Sequence, residues 1–189
     1  MTPARTGRHD RQHIIGVALD LLDRYGLPDL TMRRLATELE VQPSALYWHF
    51  DSKQDLLAAV SDRILARIPE PEPGADLLGA AQAVRDALLS YRDGAEVVLS
   101  SAALRLGGSR AEDALRAALP TALPDTGLAA TAVLQFILGH TTLVQQRMHG
   151  ESHGAASTSG GPAGGEDAAV FEAGIALLSR GAGLTPTLR

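Results

Sequence analysis

The segment Leu30–Lys53, LTMRRLATELEVQPSALYWHFDSK, decides the fold, because it reads as two short helices around a tight turn. Thr31 is placed to cap the first helix, and Leu35, Ala36 and Leu39 recur at helical spacing to give it one apolar face. Glu40 and Val41 supply the turn. Pro43 suits the first turn of a second helix, which starts at Gln42 or Pro43. Leu46 and Phe50, four residues apart, lay that helix's apolar stripe on the first. Helices shorter than about 12–15 residues are marginal alone in water, so packing must hold this one in place. Ser44, Tyr47, Trp48 and His49 are then left on its polar side. That is an odd set to present to water, but hydroxyls, an indole and an imidazole suit the major groove of DNA.

Specific roles follow from donor chemistry. Arg33, on the first helix, can fork onto a guanine edge. Tyr47 and His49 can donate to phosphates or bases, and Pro43, Ser44 and Ala45 can touch base edges or a thymine methyl. Lys53 suits a phosphate, and Thr31 and Trp48 complete the DNA-facing set. The competing reading makes Tyr47 and Trp48 core aromatics of a small domain, since large rings are mostly buried.

Working outward, Ile14, Ile15, Ala18, Leu19, Leu21 and Leu22 predict a supporting helix over Asp10–Tyr25, stopped by Gly26. Before it, Arg5, Arg8 and Arg11 lie in a stretch without apolar period, either a disordered tail or a basic arm that follows a DNA groove. Ser52, with Asp55 three residues on, caps a fourth helix whose apolar positions run from Leu56 to Ile68. The run EPEPG then breaks the pattern and divides the chain into residues 1–68 and 75–189. Helices are expected over Asp76–Arg92, Ala95–Leu106, Arg110–Leu123, Gly127–His149 and Glu166–Ser179, with a low-complexity loop from Gly150 to Gly165. No segment alternates like a strand and no repeat is present, so the fold class is all-α.

Composition excludes more than it proposes. The chain has no cysteine, hence no disulfide, thiolate zinc site or cysteine nucleophile. No apolar run approaches the roughly eighteen residues of a membrane span, and the polar start is no signal peptide, so the expected location is the cytoplasm with no membrane partner. A net charge of −5 looks wrong for a DNA binder, but residues 1–68 carry nine basic and nine acidic groups. The whole excess lies in residues 69–189, eight basic against thirteen acidic. Six histidines include no HExxH, and GGPAGG is a linker with no strand–helix setting, so neither an enzyme nor a metal or other cofactor is expected.

At Leu46-Tyr47-Trp48-His49-Phe50, Asp51-Ser52-Lys53, Thr31-x-Arg33-x-Leu35-Ala36 and Val41 the chain resembles the tetracycline-repressor (TetR) family of bacterial transcriptional regulators. One departure is Glu40, at a turn position this family commonly fills with glycine. If that position needs a positive φ, glutamate costs about 1–2 kcal/mol there. Residues 87–95, ALLSYRDGA, and 139–143, GHTTL, resemble the tetracycline-repressor subgroup in the second half as well. The resemblance implies an N-terminal helix-turn-helix domain joined by the fourth helix to an effector and dimerisation domain. It also implies a double-stranded DNA operator, a small-molecule effector, and a homodimer through the last two long helices.

Extra apolar residues on those helices, Leu134, Leu138, Phe171, Ile175 and Leu178, are the expected dimer interface. By the same resemblance Val98 stands where the subgroup has its metal-binding histidine, and Ala80, Val84 and Pro69 stand at other drug-contact positions. A valine cannot hold magnesium or its waters. What remains is an apolar cavity lined by Val84, Leu88, Val98, Leu99, Ala102 and Phe136, suited to a hydrophobic or aromatic effector. His140 is either a core histidine or a contact to that effector. The implied function is a ligand-responsive repressor; a ligand-independent regulator and a helical metabolite-binding module are the alternatives.

Overall fold

The computed structural model describes residues 10–70, 76–152 and 163–182, and among these there are helices and turns but no strand. Helix α1 (Arg11–Tyr25) is capped by the Asp10 carboxylate, which accepts from the His13 N–H, and it ends at Gly26, where φ is +82°. After a single 3-10 turn at Leu27–Asp29, helix α2 (Met32–Glu38) starts under the expected Thr31 cap. Glu40 adopts φ +55°, so the chain does turn through the left-handed region with a glutamate. The Val41 N–H reaches back to the Ala36 carbonyl at 2.9 Å, which closes that turn.

Helix α3 (Pro43–Leu46) is shorter than expected. Tyr47, Trp48 and His49 follow it in a hydrogen-bonded turn, with the His49 and Phe50 N–H groups both donating to the Leu46 carbonyl. The turn is held because Leu46 and Phe50 are anchored, each almost wholly buried and each stabilising by about 1.5–3 kcal/mol. Helix α4 (Lys53–Leu65) begins at the expected Ser52 cap and leads to Ile68, which is buried.

The second half contains α5 (Leu77–Leu89), α6 (Gly94–Ala103), α7 (Ser109–Ala117), α8 (Thr126–Ser152) and α9 (Ala163–Gly181). Helix α7 stops six residues before the expected Leu123, because residues 118–125 form turns around Pro120 and Pro124. Helix α9 begins at Ala163, so Gly164 and Gly165 are helical and not part of the loop. Most of EPEPG, the centre of the Gly150–Gly165 loop, and Arg5 and Arg8 lie outside the described residues.

Helix α8 also corrects a sequence expectation: Thr126–Gly150 is long and apolar enough to cross a membrane. Much of that apolarity is spent inside the protein, since Ala130, Val133, Leu134, Ile137, Leu138 and Val144 are buried against neighbouring helices.

One hydrophobic core runs through both halves. It passes from Ile14, Leu22 and Leu46 through Leu56, Ile64 and Ile68 to Val84, Val97, Ile137 and Phe171. Helix α4 packs on α6, with smaller contacts to α5 and α7, so the fourth helix belongs to both units at once.

Candidate nucleic-acid interface and regulatory core

The helix-turn-helix presents its expected face. Trp48 is 89% exposed and Tyr47 52%, which removes the core reading of both rings. Thr31, Arg33, Pro43 and Ser44 are exposed, while Ala45, His49 and Lys53 are half-buried. Arg33 has no ion pair among the described residues, but the neighbouring arginines are occupied. Arg34 pairs with Asp29 at 2.6 Å and lies 3.8 Å over the Tyr25 ring, and Arg24 pairs with Glu38 at 2.7 Å.

Sequence reasoning left Arg11 in the N-terminal tail. In the structure it donates to the His49 carbonyl, lies 3.4 Å from an Asp55 carboxylate oxygen, and sits 4.3 Å over the Phe50 ring. Its position at the first turn of α1, facing the end of the aromatic turn, could not be read from a local pattern. Residues further along bind the two halves together. The Asp93 carboxylate, in a left-handed backbone (φ +54°), accepts from the Leu27 N–H at 2.8 Å and lies 3.3 Å from His149 Nδ1. Asp23 accepts from the Arg92 N–H, so α1 and the 3-10 turn after it are each tied to the α5–α6 junction. Gly26 is required there, because a Cβ would meet the Asp93 carboxylate at 2.7 Å in addition to the positive φ.

On the other side, Asp62 of α4 accepts from the Gly108 N–H at 2.9 Å, and Arg110 donates to the Ile68 carbonyl through two nitrogens. Gln145 joins α8 to the same junction, accepting from the Ala95 N–H and donating to the Leu88 and Tyr91 carbonyls. With Gln135 and Gln146 in the same helix, no local signal singles out Gln145. A cleft of about 360 Å³ opens between α1, α4 and the loop after α6, but none of the effector candidates lines it.

The seven effector candidates do not converge on one surface. Val84, Leu88 and Val98 are fully buried in the common core, Ala102 is half-buried, and Leu99 is 40% exposed. Leu99 is therefore a correction: one position after the inward-facing Val98, a helix has turned about 100° away from the core. Phe136 and His140 lie instead beside α9. Their rings are 5.9 Å apart, and both approach the Phe171 ring, at 6.0 and 5.3 Å.

His140 is 8% exposed, and its Nε2 lies 3.0 Å from the Asp167 carbonyl, so that nitrogen carries the proton and donates. Burial, and next the charge of Arg85, hold its pKa below the ordinary value. The Phe136 ring lies directly on Gly174, where a Cβ would come within 2.1 Å of it.

The dimer candidates need a larger correction. Leu134, Leu138, Phe171 and Ile175 are buried within the protomer, and only Leu178 is half-buried. Both helices carry apolar side chains on several sides, and the face chosen from the sequence is the one that fills the chain's own core. The outward apolar side chains of α8 and α9 are Leu128, Leu143, Met148, Val170 and Leu177.

A three-helix unit presenting exposed aromatics beyond a capped turn, welded to a helical second unit through a shared core, is a helix-turn-helix DNA-binding protein with an appended helical domain. A family model described as "Bacterial regulatory proteins, tetR family" matches residues 14–60. The tetracycline repressor protein class C from Escherichia coli is 35% identical over 197 residues, covering 90% of this chain and 89% of that one. The class A repressor from transposon 1721, in the same organism, is 46% identical over 91 residues, 44% of this chain and 42% of the repressor. The chain thus spans less than half the length of that second relative.

Among solved structures, BioQ with its natural double-stranded DNA operator shares 34% identity at a TM-score of 0.75, over 92% of this chain and 98% of that one. A glutamine-to-alanine variant of TetR from Acinetobacter baumannii AYE, in complex with minocycline, shares 29% identity at a TM-score of 0.68, over 92% and 96%. The chain belongs to the tetR family of bacterial regulatory proteins. Its relatives are transcriptional regulators, which are not enzymes.

Proposed function

We propose that this protein is a cytoplasmic, homodimeric repressor that binds a palindromic operator and leaves it when a small effector binds the second domain. The observation that carries the reading is Trp48, an 89%-exposed indole next to an exposed Tyr47, on a turn held rigid by Leu46, Phe50 and Arg11. A large aromatic left in water at the tip of a helix-turn-helix gains its free energy from a partner, and base edges and phosphates are the partner this geometry fits. The BioQ complex with its DNA operator supports the DNA side of the proposal, and the minocycline complex supports a small-molecule effector.

The contact faces follow from these positions. Thr31, Arg33, Pro43, Ser44, Ala45, Tyr47, Trp48, His49 and Lys53 would read or anchor to the operator. Leu128, Leu143, Met148, Val170 and Leu177 on α8 and α9, with Leu178 at their edge, would meet their copies across a two-fold axis, a self-complementary arrangement. Effector binding among α5, α8 and α9 would favour a state in which α4 sets the recognition turns at a spacing that no longer fits half-sites about 34–36 Å apart. Asp93 and Asp62 are the contacts that would transmit it.

An electrophoretic mobility shift with the DNA upstream of the chain's own coding region tests the proposal. The expected result is a specific, salt-sensitive complex that competitor DNA of random sequence does not dissolve. Equal affinity for random DNA would defeat it. With Val98 and Val84 buried among apolar neighbours, magnesium–tetracycline is expected to leave that complex intact, and release at micromolar drug would overturn the effector reading.

A further inference from the structure

Helix α3 is little more than one turn, so the backbone that follows it has to be held from outside. The His49 and Phe50 N–H groups reach back to the Leu46 carbonyl, but carbonyls at the end of so short a helix have no helical donor ahead of them. Arg11, the first residue of α1, supplies one, since its guanidinium donates to the His49 carbonyl from 38 residues away in the chain. The same guanidinium lies 4.3 Å from the centroid of the Phe50 ring, a side chain that is almost wholly buried. It also comes within 3.4 Å of Asp55 Oδ1 at the start of α4, while Asp55 Oδ2 accepts from the Asp51 N–H at 3.2 Å.

These contacts are unequal. The Arg11 and Asp55 side chains are 45% and 37% exposed, and an ion pair that open to water contributes little. A hydrogen bond from a charged donor is stronger, and the buried ring fixes where the guanidinium sits. A planar fork can stack and donate at once, which a lysine ammonium does not reproduce in full. Tyr47 and Trp48, in the turn that Arg11 closes, are exposed, so their own packing does not fix the backbone that bears them.

We infer that Arg11 is a positioning residue for operator recognition. Acting through the His49 carbonyl, it orders the backbone of Tyr47, Trp48 and His49 before DNA arrives and joins that turn to the first turns of α1 and α4. It sets the preference for operator over other DNA without itself contacting a phosphate. Free of this contact, the turn has to be ordered during binding, and fixing one loosened residue costs about tenfold in affinity. Random DNA, held mainly through charge, does not require that order. The inference rests on the DNA-binding reading above and adds to it a residue that acts from behind the DNA-facing surface.

The test uses the full chain with Arg11→Met, which keeps an unbranched side chain beside Phe50 but removes the donor and the charge. Trp48 is the chain's one tryptophan, so its time-resolved fluorescence anisotropy reports the turn without DNA present. In Arg11→Met the nanosecond decay is expected to grow in amplitude while far-ultraviolet circular dichroism stays that of the wild type. Operator affinity should fall about tenfold and random-DNA affinity by less than about twofold, with the salt slope of operator binding unchanged. Arg11→Lys, which keeps a charged donor but not the fork, should recover part of the operator affinity.

Lys53→Ala, at a proposed phosphate anchor, is the comparison, expected to weaken both DNAs alike and to lower the salt slope by about one. If Arg11→Met behaves as Lys53→Ala does, Arg11 is a phosphate contact and the inference falls. Unchanged Trp48 anisotropy would overturn it as well, because the turn would then be ordered without the guanidinium. Wild-type protein that does not prefer its operator would end the DNA reading itself. Preference lost in Arg11→Met alone leaves that reading standing and supports the positioning role.

Discussion

The recognition segment and the α8–α9 pair are built from the same helical grammar, yet only one of them could be read in advance. In residues 30–53 polar and apolar residues segregate cleanly, so burying Leu35, Leu46 and Phe50 leaves Tyr47 and Trp48 no place but the surface. In α8 and α9 apolar residues occur on several sides, and the helix that looked like an interface proved to be core. The lesson is that a face is legible where its opposite is polar, and illegible where both are greasy.

The sharpest way to break that contrast is a charge on each side of α9. Ile175→Glu puts a carboxylate at a fully buried position and should cost about 4 kcal/mol or more, read as lost helical signal and a collapsed melting transition. Leu177→Glu, at a 62% exposed position, should keep its helical circular dichroism while light scattering shows monomer. The reverse pattern would restore the sequence's choice of interface.

In the recognition segment the expected effects fall on binding and not on folding. Tyr47→Ala and Trp48→Ala should each weaken operator affinity by about 1–3 kcal/mol, roughly fivefold or more, with thermal stability changed by no more than about 0.5 kcal/mol. Loss of stability without loss of binding would return both rings to the core.

A smaller effect tests the turn. Glu40 holds a left-handed backbone (φ +55°), so Glu40→Gly should stabilise the chain by about 1 kcal/mol, the strain relieved less the entropy glycine adds to the unfolded state. Urea denaturation measures it, and a destabilised variant would mean the glutamate side chain supplies something the turn needs.

The smallest effect belongs to His140. Burial and Arg85 lower its pKa from the ordinary 6.5, so the unfolded chain takes up the proton first as pH falls. Its contribution to stability is complete above that ordinary value, declines as pH drops through it, and levels off below the folded pKa. Denaturation curves of wild type and His140→Gln between about pH 7.5 and 5 should differ in slope, the variant lacking this component. Parallel curves would show that the ring is not held neutral.

Most of the architecture was visible in the chain itself. The caps at Thr31 and Ser52, the stop at Gly26, the strained turn at Glu40 and the all-α class each depend on residues within four or five positions of one another, where local sterics and hydrogen bonds decide. The exposure of Tyr47 and Trp48 was legible for the same reason. Tertiary structure alone decided the rest. It moved Arg11 from a presumed tail to the end of the recognition turn, aimed Asp93 at Leu27 across 66 residues, and turned Leu99 outward. It also buried Leu134 and Ile175 and gathered Arg85, His140 and Phe171 from three helices. Such placements depend on how helices roll and cross when they compete for one core, and that competition is settled by packing over the whole molecule, a sum no short window of sequence contains.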